Sequence, residues 1–73
     1  MEKDTLVGAI ADIDAQLRRN EEIYRKYQLK TKDELGSELW DLVGRLGEVS
    51  VALMIVRNSY AKELREHYGI IIF

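Results

Sequence analysis

The feature that most constrains this chain is an apolar seam with no polar interruption: Leu35, Leu39, Leu42, Leu46, Val49, Leu53, Val56 and Tyr60, alternately four and three residues apart. Side chains at that spacing share one face of an α-helix, and a seam sustained over so many turns calls for a partner helix along its length. A second seam precedes it: Leu6, Ile10, Ile13, Leu17, Tyr24 and Tyr27, with Asn20 filling the one polar place. The pattern is helical from end to end, which predicts an all-α fold.

Local signals set the expected boundaries. Thr31 followed by Glu34 has the form of a capping box, in which hydroxyl and carboxylate satisfy orphan amides at a helix start, so a second helix is expected from about Lys32. Arg65 and His67 before Gly69 are the cations and the glycine that suit a helix C-terminus. The spacing therefore predicts helix 1 over about 5–27, helix 2 over about 32–68 and an apolar tail over 70–73. Folding the second seam back on the first sets Leu6 opposite Leu53, Ile10 opposite Val49, Ile13 opposite Leu46, Leu17 opposite Leu42, Asn20 opposite Leu39 and Tyr24 opposite Leu35. That is an antiparallel helical hairpin, with Asn20 buried against leucine to specify register at some expense in stability.

The two expected helices differ in length, about 35 Å against about 55 Å at the rise of an α-helix, so the end of helix 2 overhangs its partner. A chain of 73 residues makes one small domain whose core sits near break-even against chain entropy. With no cysteine and one histidine, His67, neither a disulfide nor a structural zinc site can staple it, and no metal or cofactor is expected. Self-association remains, and a homodimer forming a four-helix bundle is the expectation. Its interface is assigned to Trp40, Gly44, Gly47, Met54, Val56, Tyr60, Leu64, Tyr68, Ile71 and Phe73: the overhang, the tail, and the glycines that would let a second backbone approach. The alternative is a three-helix bundle, broken near Gly44-Gly47, where glycine weakens the helix.

The N-terminus lacks the form of a secretory signal, and the longest apolar run, Val51 to Val56, is far short of the roughly 20 residues that span a bilayer. A cytoplasmic location with no membrane contact is the resulting expectation. A net charge of −2 leaves nucleic-acid binding to a local patch, and Arg18, Arg19, Arg25, Lys26, Lys30 and Lys32 gather near the interhelical loop beside Tyr24 and Tyr27. Cations interleaved with aromatics are what phosphate contact and base stacking require, although both tyrosines also belong to the seam.

Glu34, Glu38, Asp41 and Glu48 line one stripe of helix 2 at helical spacing, in the ordinary manner of a solvated face. Within it, Glu38-Leu39-Trp40-Asp41 resembles half of the magnesium site of all-helical nucleotide pyrophosphohydrolases, but no second acidic pair repeats the motif. The overlapping stretch Ser37 to Asp41 resembles the Ser-x-x-x-Asp signature of small helical-hairpin phosphatases that act on aspartyl-phosphate response regulators. That resemblance implies a role for Asp41 against the phosphoryl group, with Ser37 beside it; Glu38 stands where the family has glutamine. His67 sits in the last turn of helix 2, where an imidazolium complements the helix dipole, and has no adjacent nucleophile. The leading expectation is a small non-enzymatic protein–protein interaction module, a regulator, adaptor or inhibitor. The alternatives are a nucleic-acid-binding hairpin dimer and an aspartyl-phosphate phosphatase-like effector.

Overall fold

The computed structural model describes residues 1–72 and holds three helices: α1 over Lys3–Tyr27, α2 over Lys32–Leu35 and α3 over Ser37–Tyr68. No strand occurs among the described residues. α2 is a single turn started by the capping box, in which the Thr31 hydroxyl accepts from the Glu34 amide at 3.3 Å. The helix expected to run unbroken over 32–68 stops at Gly36, which has φ 81° and ψ 158°. Only glycine enters that region readily, because a Cβ would clash with the flanking carbonyl groups. α3 restarts at once, with the Trp40 amide donating to the Gly36 carbonyl at 3.0 Å.

Gly44 and Gly47, where the three-helix alternative placed its break, lie inside a continuous α3. Glycine in a helix interior costs about 1 kcal/mol relative to alanine, which a 32-residue helix packed along its length can carry. At the other end Gly69 takes the left-handed conformation, φ 67° and ψ 20°, and the amides of Gly69 and Ile70 turn back to the carbonyls of Arg65 and Leu64, each at 3.2 Å. The chain then folds over, and Ile70 and Ile72 pack against the core cluster of Leu6, Ile10 and Leu64.

α1 and α3 lie side by side and run in opposite directions: the Met1 carbonyl meets the Tyr68 hydroxyl, Asp14 meets Arg57 and Asn20 meets Ser50. The register differs from the expected one. The two interhelical side-chain pairs join positions whose numbers add to 70 and 71, eleven and twelve higher than the expected layers, so α3 is displaced by about three helical turns, roughly 16–18 Å. The α2 turn and Gly36 lengthen the connection and move its midpoint along the chain. α1 consequently covers α3 from about Val43 to its C-terminal end, and no overhang of helix 2 past helix 1 is left: Leu64 is fully buried against Leu6 and Ile10, with Tyr60 and Ala61 packed around them.

The opposed signs of the glycine positions give a test. Gly36→Ala is expected to destabilise by roughly 1–3 kcal/mol, because alanine at that φ and ψ is strained. Gly44→Ala and Gly47→Ala, whose added Cβ atoms would meet nothing within 4 Å, are each expected to stabilise by up to about 1 kcal/mol. Urea unfolding of the three variants checks both signs.

Candidate functional site

α3 turns a different line of residues toward α1 than the seam alone implies. Leu39, Leu46, Leu53 and Tyr60 remain half-buried, but the alternate places are taken by Val43, Ser50, Arg57 and Leu64, seven residues apart. Leu42 and Val49, expected against helix 1, and Val56, expected at the interface with a second copy, stand 58%, 48% and 41% exposed. The physical reason lies in the partners. Asn20, 3% exposed, accepts from Gln16 Nε2 at 2.8 Å and donates from Nδ2 to Ser50 Oγ at 3.4 Å, so it faces serine and not Leu39. The Arg57 side chain, 16% exposed, donates from Nε to Asp14 Oδ1 at 2.5 Å and from a terminal nitrogen to Oδ2 at 3.4 Å. Turning Leu42, Val49 and Val56 inward would take Ser50 and Arg57 away from these partners, and a buried amide left unmatched costs about 1–3 kcal/mol.

The interhelical surface carries an open groove of about 710 Å³, lined by Leu17, Tyr24, Leu46 and Met54 together with the Asp14–Arg57 pair and Ser50. Gly47 opens its side, since a Cβ there would meet nothing within 4 Å. By helical spacing the exposed line Leu42, Val49, Val56 lies on the other flank of α3 from Gly47 and Met54. Beside Leu42 is a shallower depression formed with Glu38, Asp41 and Arg45. The molecule thus shows two unlike flanks, one mixed and grooved, the other a plain apolar line edged by charge.

The remaining expected interface residues separate. Trp40, Met54 and Ile71 are exposed, as are Gly44 and Gly47. Leu64 is internal and Tyr60 packs on the core, so the chain itself covers them. Tyr68 is exposed, and its hydroxyl donates to the Met1 carbonyl at 2.9 Å. Phe73 lies outside the described residues. Among the basic residues, Arg25 pairs with Glu21 at 2.6 Å, Lys30 with Glu34 at 3.8 Å, and Lys26 lies over the Tyr27 ring at 5.4 Å, while Arg18 lines the groove and Arg19 and Lys32 are exposed. Ser37 and Asp41 are both exposed in the first turns of α3, and His67 is exposed in its last turn. Among the described residues no three carboxylate or histidine groups converge to hold a metal ion, and no helix is long and apolar enough to cross a membrane.

Asp14 and Arg57 escape a reading based on apolar spacing, because both are charged and Asp14 stands one place beyond a seam position. The signal that could have found them is polar: Ser50 and Arg57, seven apart, share a helix line with Val43 and Leu64, matching Asn20 and Asp14 on α1. Comparison with protein-family models, curated proteins and solved structures finds no match to this chain.

Asn20→Leu tests the polar contact directly. With both amide bonds removed and Ser50 left facing a methyl group, stability is expected to fall by about 1 kcal/mol or more, in contrast to the gain expected for an asparagine buried against leucine. Thermal or urea unfolding of this variant beside the wild type reads the sign.

Proposed function

We propose that the chain is a non-enzymatic helical interaction module whose docking face is the exposed line Leu42, Val49 and Val56 of α3. On this reading α1 and α3 form a helical hairpin that is half of a bundle, and a partner helical pair completes it as a four-helix bundle. One observation carries the reading: the longest apolar seam in the sequence has its second set of positions in water, although the chain has folded around the other set. Fully burying three such aliphatic side chains is worth about 1.5–3 kcal/mol each, and part of that gain is still available to a partner.

The geometry around the seam suits docking more than chemistry. Val51, Met54, Ile55 and Trp40 are exposed too, but by helical spacing they stand on the sides of α3 away from that line, so the docking face is the line Leu42, Val49 and Val56 alone. An effector of response regulators would act instead through Asp41 and Ser37 on the same helix, so the two readings separate by which residues matter.

The test is quantitative affinity capture from the source cell with wild type, a Leu42→Ser, Val49→Ser, Val56→Ser variant and Asp41→Ala. Loss of captured protein with the triple variant alone is the expected result. An unchanged captured set with the triple variant, or loss with Asp41→Ala alone, would overturn the proposal.

A further inference from the structure

We infer that the occupant of this seam is a second copy of the chain, seated antiparallel with its two-fold axis close to Val49; the inference rests on the reading of Leu42, Val49 and Val56 as a docking face. The folded chain exposes 5668 Å², whereas a compact monomer of 8.5 kDa exposes about 4,650 Å², leaving an excess of about 1,000 Å². A stable interface takes about 800 Å² from each partner. The radius of gyration, 15.7 Å against about 11 Å for a compact domain of this length, says the same in terms of shape. The molecule is a rod of 50 × 16 × 15 Å. A second such rod laid along it would take up much of the excess surface.

The exposed line is also complementary to itself. Leu42, Val49 and Val56 are evenly spaced, so a two-fold axis at Val49 sets Leu42 of one copy level with Val56 of the other and Val49 level with its own counterpart. The charges select the direction. Glu38 and Arg45 edge the stripe, and in a parallel pair each would stand level with itself, which sets like charges face to face. In the antiparallel pair Glu38 stands level with Tyr60 and Arg45 with Leu53, so no like charges meet.

Such a pairing leaves α1 undisturbed. The polar pairs that hold α1 on α3 lie on the other line of α3, so both interfaces can form at once. The chain has no cysteine, which allows the orientation to be read by single introduced thiols. Leu42→Cys and Val56→Cys replace exposed side chains and should leave the fold intact.

The experiment combines sedimentation equilibrium of the purified chain with thiol cross-linking by a short bis-maleimide. The expected result is a dimer that Val49→Glu returns to a monomer with its helical circular dichroism retained. Mixed Leu42→Cys and Val56→Cys chains should cross-link several-fold more than either alone. A wild-type chain that stays monomeric across the concentration range overturns the inference, as does Leu42→Cys cross-linking to itself as readily as to Val56→Cys. A monomer that still loses its captured partner when the seam is substituted sinks the second copy and leaves the docking face standing. A dimer indifferent to Val49→Glu is held by another surface and likewise overturns the inference, while the docking face is then decided by the captured set alone.

Discussion

Two polar pairs inside an otherwise apolar contact, Asn20 with Ser50 and Asp14 with Arg57, set how α1 lies on α3. Apolar burial has no direction, and two heptad seams slid by three turns still bring aliphatic side chains together at nearly the same gain. Hydrogen bonds do discriminate, because an amide buried without a partner costs about as much as a well-buried methyl pair contributes. The ion pair by itself would not have chosen the register, since in the unshifted alignment Arg45 stands level with Asp14. Asn20 breaks the tie: one register offers it Leu39, the other Ser50.

The chosen register has two consequences that pull in opposite directions. It brings Leu64 under α1 and buries it completely with Leu6, which closes the far end of the helix pair with the help of Ile70 and Ile72. It also turns α3 so that Leu42, Val49 and Val56 leave the contact. The same rotation that satisfies the polar groups therefore creates the exposed line on which the functional proposal rests. Among the described residues no further long helix lies across this apolar strip, and that is why the proposal takes it as a docking face.

The helical class, the start of the second segment at the Thr31 box and its end at Gly69 are legible in the sequence, because each depends on residues within one or two turns of the place it marks. On α1 the spacing also identifies the buried line through Leu6, Ile10 and Asn20. What it misses are quantities fixed between helices. Gly36, Gly44 and Gly47 look alike in the sequence, and only the φ and ψ demanded by the connection distinguishes the glycine that breaks the helix from those that do not. Register is invisible to periodicity for the same reason that seams can slide. Leu64 and Tyr60 read as an overhang only while the connection is taken to be short.

The measurement that bears most directly on this account is the pattern of methyl contacts between α1 and α3 by nuclear Overhauser spectroscopy, with isotope filtering to retain contacts within one chain. The register described here predicts cross-peaks between Leu6 and Leu64 and between Ile10 and Leu64, with none from Leu6 to Leu53. Cross-peaks from Leu6 to Leu53 in place of Leu64 would contradict it, and with it the exposure of Leu42, Val49 and Val56.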